Sequence, residues 1–87
     1  MIQKFNNFKM NTNGQKLYEF TDETMNWIKK NRFKNGILNL SIQHTSASLI
    51  IQENAELLLG TWQGIYLIEH RLNPQTRTII HHFLGEV

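Results

Sequence analysis

Trp62-Gln63-Gly64-Ile65-Tyr66-Leu67-Ile68-Glu69-His70-Arg71 and, beyond the polar turn Asn73-Pro74-Gln75-Thr76, Arg77-Thr78-Ile79-Ile80-His81-His82-Phe83-Leu84 make up the last third of the chain and set its fold class. Both arms are rich in β-branched and aromatic residues and are separated by turn residues, so they read as two strands of a hairpin. A symmetric loop centred between Pro74 and Gln75 pairs Arg71 with Thr78 and Ile68 with His81. One face of this hairpin carries Trp62, Tyr66, Ile68, His70, Ile79, His81 and Phe83. The other carries Ile65, Leu67, Glu69, Ile80, His82 and Leu84. Neither face is plainly hydrophilic, so each needs something to pack against, and a neighbouring subunit is the natural second cover.

Working back along the chain, Leu38, Leu40 and Ile42 alternate with Asn39, Ser41 and Gln43, which predicts a strand over Ile37 to Gln43 with one wet face. Leu49-Ile50-Ile51 continues as a second strand, closed by Gln52-Glu53-Asn54. Ahead of these, Thr21 precedes Asp22 and Glu23, with Met25 and Ile28 three apart, the pattern of a hydroxyl N-cap and an acidic first turn. A helix near residues 22 to 33 follows, with Gly36 available to end it or to turn the chain into the next strand. At the start, Ile2 to Met10 and Lys16 to Phe20 flank Asn11-Thr12-Asn13-Gly14 and read as a further hairpin. The expected fold is α+β: a small β-sandwich or sheet of hairpins with one main helix.

With 87 residues and no proline-rich linker or repeat, the chain forms one domain, residues 1 to 87, burying roughly 60 to 65% of its unfolded surface. The absence of cysteine excludes disulfides and thiolate metal sites, and leaves oligomerisation as a means of stabilising so small a core. No stretch is long and apolar enough to cross a bilayer, and the first residues lack the apolar run of a secretory leader, so we expect a cytoplasmic protein with no membrane partner. A formal charge of +2 demands no nucleic acid. The basic cluster Lys29, Lys30, Arg32 and Lys34 falls at the predicted helix end, where cations complement the helix dipole.

Candidate chemistry begins at His44-Thr45-Ser46-Ala47-Ser48. If the chain stays extended there, His44, Ser46 and Ser48 share one face and form a polar ledge suited to an anionic or hydroxylated ligand. Strict alternation also puts His44 in line with Leu38, Leu40 and Ile42, so the imidazole needs a polar partner or a break in the strand. Glu69-His70-Arg71 reads equally as an anion-recognition corner, with Arg71 as bidentate donor, and as part of a metal site. In the hairpin register His70 lies diagonal to His81, and Glu69 to His82, at spacings compatible with a shared metal. No spacing singles out a particular metal or cofactor, and no Gly-x-Ser-x-Gly elbow supports a serine hydrolase. Gly60 and Gly64 beside Trp62 and Tyr66 suggest close approach of backbone to a ligand or another chain.

Two stretches, His44-Thr45-Ser46-Ala47-Ser48-Leu49 with Glu53-Asn54, and Leu59-Gly60-Thr61-Trp62-Gln63-Gly64-Ile65-Tyr66-Leu67 with Glu69-His70-Arg71, closely resemble the YjbQ-like family. The family usually carries a block with a helix and further histidines between them, whereas here Glu53-Asn54-Ala55 runs almost directly into Leu57-Leu58-Leu59, an internal deletion near residues 54 to 57. The resemblance implies a small α+β sandwich assembled as a trimer, and an activity like that of secondary thiamine-phosphate synthases, which join a pyrimidine diphosphate to a thiazole phosphate. It places catalytic roles on His44, Glu69 and His70. Substrate contacts fall to Thr45, Ser46, Ser48, Glu53, Asn54, Trp62, Gln63 and Arg71. The expected function is a phosphate-ester enzyme acting on a small metabolite, with Arg71 holding phosphate, His44 moving a proton and Trp62 as an apolar wall. The alternative is a non-catalytic oligomeric or ligand-binding module that has lost part of the family site.

Overall fold

The computed structural model describes residues 1–53 and 63–87, and the side chains of Gln52, Glu53 and Gln63 fall outside the description. In chain order the elements are β1 (Ile2–Thr12), β2 (Leu17–Glu19), α1 (Thr21–Asn31), β3 (Gly36–Ile42), β4 (Ala47–Glu53), β5 (Gln63–Glu69) and β6 (Gln75–Gly85). They form two antiparallel three-stranded sheets, ordered β1-β6-β3 and β2-β5-β4. This is the expected α+β sandwich with a single helix.

Both predicted hairpins are absent. β6 pairs with β1 from Ile2↔Gly85 to Thr12↔Gln75 and with β3 from Gly36↔Gly85 to Ile42↔Ile79. β5 pairs with β2 and β4 instead. Arg71 therefore does not face Thr78, nor Ile68 His81, and the diagonals His70 to His81 and Glu69 to His82 do not exist. The reason lies in the side-chain parity of each strand. On β5 the buried residues are Ile65, Leu67 and Glu69, and on β6 they are Arg77, Ile79, His81 and Phe83. A hairpin would leave one apolar set of each strand in water, whereas facing sheets about 10 Å apart turn the two sets toward each other. The residues around Pro74 thus carry the chain from one layer to the other. Phe20, Ala47, Ile65, Leu67 and Ile79 form the core between the layers, with Phe8, Met10, Tyr18, Leu40, Ile42 and Leu49 packed against it.

The helix starts one residue earlier than expected, and Thr21 does not cap it. Its N-cap is Phe20, with no side-chain cap bond. The Thr21 hydroxyl instead donates to Glu19 Oε2 at 2.8 Å and accepts the Ile65 N–H at 2.9 Å, tying the helix start to β5. Asp22 and Glu23 do occupy the first turn, and Lys29 and Lys30 the last. Arg32, in the left-handed region at φ 56°, ends the helix, so Gly36 is not its terminator. Gly36 is required for another reason: a Cβ there would lie 2.5 Å from the Leu84 carbonyl oxygen, at the close meeting of β3 with β6. Among the described residues, no helix is long and apolar enough to cross a membrane.

Besides the α1 segment, which leads from β2 to β3, three segments pass between the sheets: residues 13–16, 43–46 and 70–74. All lie at one end of the sandwich, because Thr12 is paired with Gln75, Leu17 with Ile68 and Ala47 with Glu69. Backbone bonds stitch them together, Glu69 N–H to Lys16 O at 3.0 Å and His70 N–H to Ser46 O at 3.2 Å. The helix and the pairs Gly36↔Gly85 and Glu53↔Gln63 lie at the other end.

Candidate functional site

The polar residues singled out in sequence gather at this crossover end, around one buried ion pair. Glu69, pointing inward from the last position of β5, receives Arg77 Nε on Oε1 at 2.8 Å and Arg77 Nη2 on Oε2, a bidentate pair joining the two sheets. Thr12 Oγ1 donates to Oε1 at 2.6 Å and the Arg71 N–H to Oε2 at 2.9 Å. Arg77 Nη2 also donates to the Ser46 carbonyl and to Ser46 Oγ, at 3.2 and 2.9 Å. Hydrogen bonds from Arg77 above all hold the Glu69 carboxyl down at about 2, against the opposing effect of burial, with Thr12 and the Arg71 amide adding to the stabilisation. The same carboxylate raises the Arg77 guanidinium above its ordinary value. Glu69 is thus a committed carboxylate, with its oxygens occupied by internal donors, and it has no proton to give near neutral pH.

Arg77 is the member that the sequence reading missed. Its signal was parity: it stands in line with Ile79, His81 and Phe83 on β6, and an arginine on an inward face requires a carboxylate opposite. Glu69, in line with Ile65 and Leu67, is that carboxylate once the two strands are placed in facing sheets.

The polar ledge expected from an extended His44-to-Ser48 run is replaced by a turn, because β3 stops at Ile42 and β4 starts at Ala47. His44 is half-buried, and its Nε2 accepts the Thr78 N–H at 3.1 Å. That amide lies one residue past the end of the β3–β6 pairing, so the imidazole takes the place of a strand carbonyl. An Nε2 that accepts carries no proton, which leaves Nδ1–H as the hydrogen-bearing nitrogen. Thr45 is exposed in the turn. Ser46 serves Arg77, and Ser48 points out from β4 to meet exposed His70, Oγ to Nε2 at 3.0 Å. His70 is held by two backbone bonds, its N–H to Ser46 O and its C=O from Gln15 Nε2 at 2.7 Å. Tyr18 shapes the neighbouring loop: its hydroxyl accepts the Asn13 N–H and donates to Gly14 O, at 2.7 and 3.0 Å.

Arg71 is exposed, with only its backbone N–H engaged among the described residues. Across the crossover end, residues 10–18, 42–48 and 68–78, the single acid is Glu69, and Arg77 neutralises it. Among the described residues, Lys16 and Arg71 remain as uncompensated cations. Asn54 and Trp62 lie outside the described residues, as do the side chains of Glu53 and Gln63. The backbone of the Glu53↔Gln63 pair lies six positions along β4 from Ala47↔Glu69, about 20 Å away, so it does not join this site within one chain. Gly64 approaches the Glu19 carboxylate, 2.9 Å from where a Cβ would stand. Among the described residues no group of three or more His, Asp or Glu side chains is placed to hold a metal.

A two-sheet sandwich with one helix, whose sheet-crossing turns bring together histidine, serine and arginine over a buried Glu–Arg pair, defines the class of this protein. The family model described as UPF0047 protein YjbQ-like matches residues 6–57, more than half of the chain. The chain belongs to that family. It is also similar to UPF0047 protein sll1880 of Synechocystis sp., 28% identical over 129 residues that take in 87% of this chain and 88% of the relative. No solved structure matches it.

Proposed function

We propose that the crossover end receives the phosphate of a small metabolite and that the protein is a phosphate-ester enzyme similar to secondary thiamine-phosphate synthases. The observation that carries this is electrostatic: the only acid in residues 10–18, 42–48 and 68–78 is neutralised by Arg77, while the exposed Arg71 guanidinium has no partner among the described residues, and Lys16 belongs to the same end. A guanidinium fork suits a phosphate bidentately. The Ser48–His70 pair supplies a hydroxyl and an imidazole in hydrogen-bond contact next to it, and His44 presents Nδ1–H as a donor. Turnover of phosphate esters by the purified protein, with binding weakened roughly tenfold to a hundredfold in Arg71→Ala, is the expected result. Unchanged binding in that variant contradicts it.

A second reading has its own support. Glu69 and Nε2 of His44, both expected to be catalytic, are occupied by structural bonds. The family match ends at residue 57, and the alignment to the Synechocystis relative runs over 129 positions, more than the 87 of this chain. Both support loss of a central block near residues 54 to 57. On this reading the protein binds the phosphate without turning it over, and phosphate binding with no turnover separates the two. We also propose a homo-oligomer, with a trimer as the first expectation, because Phe5 and Ile37 stand 65% and 61% exposed on the outer face of the β1-β6-β3 sheet.

A further inference from the structure

His81 is the one buried histidine, and nothing at the crossover end uses it. It lies fully buried on the inner face of β6, where Nε2 meets Thr24 Oγ1 of α1 at 2.7 Å and Nδ1 meets Asn6 Nδ2 of β1 at 3.1 Å. Its ring stacks between Phe8 of β1 and Trp27 of α1, each 5.0 Å away between centroids. We infer that His81 is a pH latch: neutral, it fastens α1 to the β1-β6-β3 sheet, and protonated, it lets the helix go.

The Asn6 amide donates to Nδ1, so the neutral ring keeps its proton on Nε2 and gives it to Thr24, and both nitrogens are satisfied. An imidazolium has two N–H groups and needs two acceptors, but it would face the Asn6 N–H. Among the described residues no counter-charge is in place. Facing the ring are Asn6 and Phe8 from β1, Leu40 from β3 as its register partner, and Thr24 and Trp27 from α1, and none of these titrates. Along the same inner faces the charged groups among the described residues are Arg77 and Glu69, which neutralise each other, and exposed Lys4, paired with Phe83, which is a like charge to an imidazolium and no counter-ion. Burial accordingly pushes the imidazole below its ordinary 6.5. The other fastenings lie at or beyond its ends: Thr21 and the Phe20 N–H tie its start to β5, and after it Phe33 stacks on Phe83 at 3.9 Å while Lys34 and Asn35 exchange backbone bonds with Glu86. An 11-residue helix does not persist alone in water.

Hydrogen exchange of the full chain tests this. As the pH falls below 6.5, opening of α1, corrected for intrinsic exchange, is expected to rise about tenfold per pH unit until His81 is protonated in the closed form too, while β5 keeps its protection. In His81→Gln, which retains an amide for Thr24 and cannot titrate, that dependence should vanish. The imidazole ¹⁵N signals of the wild type give a readout that needs no variant, and they should move to the charged form over the range in which α1 opens. Helix protection that falls with pH while His81 stays neutral overturns the proposal, as does protection that is flat across the range or falls equally in the Gln variant.

Discussion

Replacing Glu69 by Gln removes a charge but keeps the shape, and leaves the Arg77 guanidinium buried without its partner. Such a loss costs roughly 3 to 5 kcal/mol, a large part of the stability of a domain this size, so Glu69→Gln should unfold at far lower urea than the wild type. The double change Glu69→Leu/Arg77→Met should recover much of it, because both buried charges go together. His44→Ala strands the Thr78 N–H and should cost about 1 to 2 kcal/mol, whereas His44→Gln, which offers an amide oxygen, should cost less; equilibrium unfolding distinguishes them. At this scale the polar residue types of the crossover end were legible in the sequence, and their hydrogen-bond partners were not. Glu69, His44 and Ser46 were read as facing a ligand; both Glu69 oxygens, His44 Nε2 and Ser46 Oγ are engaged within the protein. That distinction depends on where a strand ends, and alternation within Gly36–Ile42 does not reveal that the chain turns before His44.

Strand existence was legible in the alternation of Leu38, Leu40 and Ile42, and the helix in its acidic and basic ends. Pairing was not legible. Two apolar runs separated by a short polar stretch look alike whether the chain returns beside itself or steps to a facing sheet, and only the inward parity of Glu69 and Arg77 tells them apart. The helix start also followed tertiary structure in preference to local capping, because the Thr21 hydroxyl is drawn to the Ile65 amide and Glu19. Thr21→Ala therefore breaks the fastening of α1 to β5 and should lower the unfolding midpoint by about 1 to 2 kcal/mol worth of stability, while Thr21→Ser keeps both bonds and should be near neutral.

At the scale of the molecule the sandwich has two ends with different chemistry, a crossover end poor in acid and a helical end closed by α1. Acid should act on them in sequence. His81, held below 6.5 in the fold, contributes stability that is whole above 6.5 and falls as the pH drops from that value toward its folded pKa. Glu69, held at about 2 against 4.5, contributes stability that is whole above 4.5 and is lost as the pH falls from there toward about 2. Thermal unfolding followed across this range should show a first decline below 6.5 and a second below 4.5. Light scattering at micromolar concentration should give an oligomer, with a trimer expected, and a monodisperse monomer contradicts that expectation. The proposed phosphate binding at the crossover end is read by chemical-shift mapping with glycerol 3-phosphate and inorganic pyrophosphate. Shifts are expected at Lys16, His44, Ser48, His70 and Arg71 and are lost in Arg71→Ala, with α1 unmoved; no response to either anion, or a response confined to Lys29, Lys30, Arg32 and Lys34 at the helical end, contradicts phosphate binding there.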